Sequence, residues 1–404
     1  MKIQVNKAAT PLYQASLEAE GKKEFDKAVE LCLRAIELDP KSALLRNKLI
    51  NGLCNARQFQ RAILLGEEAV RVSKERLDEY PEPANPDDFD YDRNVVFRLW
   101  HQTRMRVGTA RLALGDYEQG WRDFESRFEI FDLAGQNMIR SPEDVANFRD
   151  GTIVLRFDAG IGDSIHFSRY FPLWKDRCSR IILQTHPELI RIFQLTFPFA
   201  EVIPIHQDIP PKAGIVQVMS QPYLLGLGAP DPSQHFPYLD CGDPPIARTG
   251  KPIRIGLKPK GSQRDLREFD IALFEPLLEL PRKMAQDGGR QIELHLLEKA
   301  ILKPEEQSFL SRFPIHQHQS EFTDLLTTAK FVNGLDLVIA VDTAVAHLAG
   351  ALAAPTWVMI PFVQDSRWGV DPDRTGWYPT MRLFRENLPG RWSNVIERIV
   401  EALE

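Results

Sequence analysis

Two short stretches of the 404-residue chain join a strand-like apolar run to a turn whose residues could do chemistry. In the first, RFDAGIGDSIHF, the apolar run empties into Gly160, Gly162 and Asp163 and resumes at once as a helical pattern. Glycines there permit backbone angles and close approaches barred to residues with a Cβ. A carboxylate at the carboxyl end of a strand could remove the proton of a hydroxyl as its oxygen bonds to an electrophilic carbon. Asp163 or Ser164 is equally suited to cap the helix that follows, and spacing alone does not choose between these roles. The run is not G-x-G-x-x-G, so it gives poor support to dinucleotide binding.

The second stretch is LDLVIAVDTAVAHLAGALAAP. A strand is expected to end at Val341, with Asp342 and Thr343 in the turn and the small residues Ala344, Ala346, Ala349 and Gly350 letting the next helix pack tightly. The start of such a helix offers free amide donors and a partial positive potential, suited to a pyrophosphate. Thr343 and His347 stand four apart and share a helix face, so both can reach one ligand. A core histidine beside a capping threonine reads equally well from the spacing.

The elements that must position these turns follow from periodicity. From Thr152 onward, TIVLRF, RIILQT, EVIPI and GIVQVMS alternate with helical segments such as SIHFSRYFPLW and PELIRIFQLTF, the pattern of a parallel sheet with helices on its faces. FPYLDCGDPPIARTGKP interrupts the alternation and reads as a linker. A second series follows, with IRIGLKP, QIELHLL, LDLVIAV and TWVMIPF as strands and a last amphipathic helix in SNVIERIVEALE. Two such units facing each other across a cleft would put the carboxyl ends of both sheets around one ligand.

The first third has a different period. Phe25, Ala28 and Ala35 recur as Phe59, Ala62 and Ala69, 34 residues on, the period of tetratricopeptide repeats. A third copy aligns through Gly115, Tyr117 and Phe124, with Gly108 where close helix contact needs a small residue. Gly120 and Arg127 replace the usual alanines. KERLDEYPEPANPDDFDYD, acidic and proline-rich, is expected to form a loop after an elongated helix. Stacked helix pairs of this kind present a concave groove that commonly takes a peptide or protein segment. The fold class is therefore α plus α/β: a helical repeat domain over 1–145 and two α/β domains over 146–247 and 248–404.

Composition, with 43% hydrophobic and 26% charged residues, is that of a folded globular protein. The net charge of −6 argues against a general nucleic-acid binder. Neither a signal-peptide core nor a membrane-length apolar run is present, which gives a cytoplasmic expectation. Cys32, Cys54, Cys178 and Cys241 have no paired spacing and read as reduced, packed thiols.

GIGD after the first strand, VDTAVAHLAGAL near the end, the tail PFVQDSRWGVDPDRTGWYPTMRLFRE and the repeat copy GDYEQGWRDFESRF together resemble bacterial proteins that join tetratricopeptide repeats to a heptosyltransferase-like domain of glycosyltransferase family nine. The resemblance covers nearly the whole chain. It implies a GT-B pair of Rossmann-like domains, acceptor-side over 146–247 and nucleotide-sugar-binding over 248–404, and metal-independent inverting transfer from a nucleotide sugar, with no resident cofactor. Some such proteins are associated with protein glycosylation, so a protein acceptor recruited by the repeats is the implied partner. Asp163 would be the general base. Asp342, Thr343, Ala344 and His347 would hold the donor beside Gly160 and Gly162; Lys260 and Arg264, in the basic run that also holds Lys258 and Arg267, would meet its phosphates together with Arg367 of the tail. Relatives often read tryptophan, serine and glycine where this chain has Lys258-Pro259-Lys260-Gly261. That departure keeps open a non-catalytic scaffold with a degenerate GT-B domain; a lipid-linked or oligosaccharide acceptor is the other alternative.

Two further signals carry less. His316 and His318 form an H-x-H without an evident third ligand and are expected in a surface strand or loop. Trp368 and Trp377 fit packing between domains better than a sugar contact.

Overall fold

The computed structural model describes residues 5–80, 91–131, 137–157, 159–231, 236–244, 252–261 and 270–404. They group into two compact units: Met1–Gln136 with Gly226–Ala229 and Val363–Val370, and Asn137–Leu225 with Pro230–Phe362 and Asp371–Glu404.

The first unit is built on six helices, α1 (Thr10–Gly21), α2 (Phe25–Leu38), α3 (Ala43–Asn55), α4 (Phe59–Asp78), α5 (Tyr91–Ala113) and α6 (Tyr117–Phe124). The 34-residue spacing is visible in the fold: Phe25 and Phe59 each open a helix, and Ala28, Ala35, Ala62 and Ala69 are buried. Val29, Cys32, Leu49, Leu53 and Val107 fill the space between the helices. The insertion is preceded by a long α4, as its prolines require, and residues 81–90 lie outside the described residues. Gly108 explains the departure at the third copy. A Cβ there would lie 2.8 Å from the Gly120 carbonyl oxygen and from the Phe124 nitrogen, so α5 and α6 cross backbone to backbone. A Cβ on Gly120, where alanine is usual, would lie 2.8 Å from the Leu112 side chain in the same seam.

The second unit holds two wholly parallel sheets. In the first, β1 (Thr152–Arg156), β2 (Arg180–Thr185), β3 (Glu201–Pro204) and β4 (Gly214–Gln217) stand in the order β3-β2-β1-β4. In the second, β5 (Ile253–Lys258), β6 (Ile292–Leu296), β7 (Ile315–Gln317), β8 (Leu337–Val341), β9 (Thr356–Ile360) and β10 (Met381–Arg385) stand in the order β10-β9-β8-β5-β6-β7. Strands buried on both faces explain the near-continuous apolar runs. The edge strand β7, three residues long, falls in the H-x-H stretch expected as a surface strand or loop. The other edge strand, β10, was not among those expected, and it interleaves Arg382 and Arg385 with its apolar residues.

Each sheet reverses its winding once. In the first sheet the chain builds outward from β1 through β2 to β3, then returns to place β4 on the other flank of β1. In the second it builds from β5 to β7 and returns to place β8 beside β5. These two reversals, β1/β4 and β5/β8, are the switch points beyond whose carboxyl ends parallel sheets commonly bind ligands. The closing helix Trp392–Leu403 packs Trp392, Val395, Ile396 and Ile399 into the core of the second sheet.

Candidate active site at two strand-end turns

The first turn leaves β1 at Arg156. Phe157 behind it stacks on Phe193 at 5.7 Å and meets Phe171 edge-on at 6.0 Å, which anchors the start of the turn in the core. Gly160 then precedes the helix Ile161–Phe167, and the Asp163 carboxylate accepts the Gly160 N–H at 3.2 Å. Asp163 is thus seen in the capping role, half-buried, in the turn beyond the carboxyl end of β1. Asp158 lies outside the described residues.

The second turn leaves β8 at Val341. Thr343 occupies the N-cap position of the helix Ala344–Ala351, but its hydroxyl donates back to the Val341 carbonyl at 3.1 Å and makes no side-chain cap. Asp342 is buried and His347 more so, with His347 Nε2 3.5 Å from Asp342 Oδ1.

The two turns meet. A Cβ on Gly162 would lie 3.0 Å from His347 Cδ2 and 3.5 Å from the Ala344 nitrogen. A Cβ at 162 would require the His347 ring to give by a few tenths of an ångström, while its approach to the Ala344 backbone would be ordinary contact.

His347 does not extend into solvent from this contact. Its Nδ1 lies 2.8 Å from the Tyr378 hydroxyl, which is also 3.0 Å from His166 Nδ1 and 3.2 Å from the Tyr238 hydroxyl. Arg169 donates to the Tyr238 oxygen at 3.1 Å, to the Trp377 carbonyl at 3.0 Å and to the His166 carbonyl at 2.8 Å. Its guanidinium lies against the rings of Tyr238, Tyr378 and Trp377. A hydroxyl donates once and accepts twice. With Tyr238 donating to Tyr378, one imidazole receives the Tyr378 proton and the other gives its own. The Asp342 carboxylate favours a proton on His347 Nε2. His347 Nδ1 is then the acceptor and His166 the donor. The relay closes the seam between the elements of the two sheets, joined farther along by the Arg191–Asp324 ion pair at 2.7 Å.

The lysines of the basic run after β5 are held in ion pairs within the fold. Lys258 Nζ is paired with Glu298, itself buried, and Lys260 Nζ is paired with Glu306. Arg264 and Arg267 lie outside the described residues. Arg367 belongs to the Val363–Val370 segment of the helical unit and clasps Asp365, with Nε 2.9 Å from Oδ1 and Nη2 3.2 Å from Oδ2. Trp368 is buried in the same segment. Trp377 packs edge-on to His166 at 4.8 Å, a packing contact within the seam.

His318 Nε2 meets His295 Nδ1 at 3.0 Å, and its own Nδ1 meets Glu321 at 2.7 Å. Arg254 donates to His295 Nε2 at 3.1 Å. This fixes neutral His295 with its proton on Nδ1, in a hydrogen-bonded row of side chains. His316, in edge strand β7, stacks on His295.

Sequence reasoning missed His166, Arg169, Tyr238 and Tyr378. The available signals were two polar residues, His166 and Arg169, inside an otherwise apolar helical run, and two tyrosines near segments read as linker and tail. Nothing local joins them.

No family model matches the chain. It is 23% identical to protein FlbA of Caulobacter vibrioides in an alignment covering 98% of this chain and 72% of that protein. Among solved structures, it is similar to the E. coli heptosyltransferase WaaC with ADP (15% identity, 63% of this chain and 99% of that one, TM-score 0.42). It is also similar to a glycosyl transferase family 9 protein from Veillonella parvula (13% identity, 63% of this chain and 96% of that one, TM-score 0.41). A point mutant of the Thermobaculum terrenum O-GlcNAc transferase is similar over 98% of this chain and 82% of its own, at 13% identity and a TM-score of 0.31.

Proposed function

We propose that the protein is a glycosyltransferase that moves a sugar from a nucleotide-sugar donor to an acceptor hydroxyl with inversion. The observation that carries this reading is the contact of Gly162 with Ala344 and His347, which brings the strand-end turns of two parallel sheets together in one unit. In the proposed step Asp163 gives up its capping bond to Gly160 and takes the acceptor proton. The acceptor oxygen bonds to the anomeric carbon as the carbon–oxygen bond to the donor phosphate breaks, and the electron pair leaves on the phosphate. The uncapped amides at the start of Ala344–Ala351, with Thr343 beside them, meet that charge. The reading invokes no metal. Helices α1–α6 supply the surface that recruits a protein acceptor.

Thermal stabilisation of the full chain by a panel of nucleotide sugars tests donor binding, since a ligand of the folded state alone raises its stability. With a stabilising donor identified, Asp163→Asn should keep donor binding and lose transfer. Unchanged turnover would remove the base.

A second reading, a scaffold without turnover, is favoured by one observation: Lys258 and Lys260 are both neutralised within the fold. It requires that no nucleotide or nucleotide sugar stabilise the protein at generous concentration.

A further inference from the structure

The winding reversal of the first sheet carries a polar row that the proposed chemistry does not use. Arg156 at the end of β1 is in register with Gln184 of β2 on one side and Gln217 of β4 on the other. In-register neighbours of parallel strands share a face, so the three side chains stand abreast at the carboxyl end, with Arg156 and Gln217 flanking the β1/β4 switch point.

Their hydrogen bonds are unevenly satisfied. Arg156 Nε donates to Gln184 Oε1 at 2.8 Å, and Gln184 Nε2 donates to the Gln207 carbonyl at 2.7 Å, so Gln184 is spent on holding the guanidinium. No carboxylate among the described residues pairs with Arg156, and burial alone acts on it, pulling its pKa below the ordinary arginine value. Gln217 is 5% exposed, and its Oε1 has no hydrogen-bond partner. A half-buried cation without a counter-charge and a buried acceptor without a donor each cost stability. Placed side by side at the position where parallel sheets bind ligands, they describe the complement of a missing group.

We propose that Arg156 and Gln217 form a subsite for an oxyanion adjacent to a hydroxyl. With Nε held by Gln184, the guanidinium presents its terminal Nη1 and Nη2 edge, which matches two oxygens of a carboxylate or phosphate. Gln217 Oε1 accepts from the neighbouring hydroxyl. On the transferase reading, on which only the occupant's role rests, this group belongs to the acceptor, and Arg156 selects acceptors that carry an acid near the reacting hydroxyl.

The test uses the full chain, isothermal titration calorimetry and three probes: glucuronate, glucose 6-phosphate and neutral glucose. At least one acid should bind and glucose should not; the tighter acid identifies carboxylate or phosphate as the source. Arg156→Met should weaken the acid by about tenfold or more. Gln217→Leu should weaken it by roughly three- to tenfold. Gln217→Leu should melt at an unchanged or higher temperature, because it removes a buried acceptor that has no donor. A structural glutamine would do the opposite, so a clear fall in melting temperature on Gln217→Leu overturns the proposal; Arg156→Met is judged on binding alone, since it also takes the donor from Gln184 Oε1. Failure of both acids to bind, or glucose binding as tightly as the acids, also overturns it. Nucleotide affinity, measured in the same variants, separates this outcome from the fate of the transferase reading: acids without nucleotides leave the subsite standing alone, and nucleotides without acids remove only the subsite.

Discussion

Replacing Tyr378 by phenylalanine takes one oxygen from the seam of the α/β unit and leaves the ring in place. Tyr378 is 1% exposed, so no water substitutes for the lost hydroxyl without repacking. Each of its three neighbours loses a bond. Tyr238 Oη keeps the Arg169 donor at 3.1 Å, but its own proton loses the Tyr378 oxygen. The His166 Nδ1–H loses its acceptor at 3.0 Å and His347 Nδ1 its donor at 2.8 Å. Taking the three lost buried bonds at about 1 kcal/mol each, the loss comes to about 2–4 kcal/mol. For a unit of this size that corresponds to a fall of roughly 4–8 °C in melting temperature. Denaturant unfolding of wild type and variant measures it, and nitrogen NMR of His347 reports whether the Nε2–H tautomer survives. A loss below about 0.5 kcal/mol would show that the hydroxyl is no keystone of the seam. An unchanged His347 tautomer would show that Asp342 fixes it alone.

Gly108→Ala gains about 1 kcal/mol of helix propensity, yet its Cβ meets backbone atoms of α6 at 2.8 Å, which cannot swing aside. A net destabilisation of about 1–3 kcal/mol in chemical unfolding is expected; a more stable variant would mean the helices part at no cost. Glu306→Gln frees Lys260 from its partner, so nucleotide affinity should rise roughly three- to tenfold while Lys260→Ala lowers it; no change in either would detach Lys260 from the donor. The same pair sets an acid dependence. Burial favours neutral Glu306, but hydrogen bonds from Lys260 and the Lys303 amide, with both lysine charges, hold it below the ordinary carboxylate value. Its contribution is therefore present above that ordinary value and lost as pH falls through the lower folded one. In Glu306→Gln this part of the acid-side slope should vanish, and an identical pH profile would refute the assignment. Burial pushes the Cys54 thiol up to about 11. Relative to an ordinary thiol that is about a hundredfold less thiolate near neutral pH, so Cys54 should resist iodoacetamide until the chain unfolds. Rapid alkylation in the folded protein would contradict the raised thiol pKa.

Much of this architecture is written locally. Eight apolar runs became strands, and Phe25 and Phe59 opened equivalent helices at the expected spacing. Local sequence suffices there because period, β-branching and glycine act over a few residues. The glycine at 162 signalled a close approach, but only the fold named its neighbours, Ala344 and His347. Long-range partners decided the rest. The partner of Lys260, Glu306, lies 46 positions away on the helix Pro304–Leu310, beyond the reach of any local pattern. His166 and Tyr378 are 212 positions apart and meet only in the tertiary structure. Arg156 ends β1, and strand order alone sets Gln184 and Gln217 at its sides. Composition and period determine which segments become strands and helices. Which charges are left unpaired depends on strand order and packing, because pairing is settled by distance in space, and the chain alone does not specify that distance.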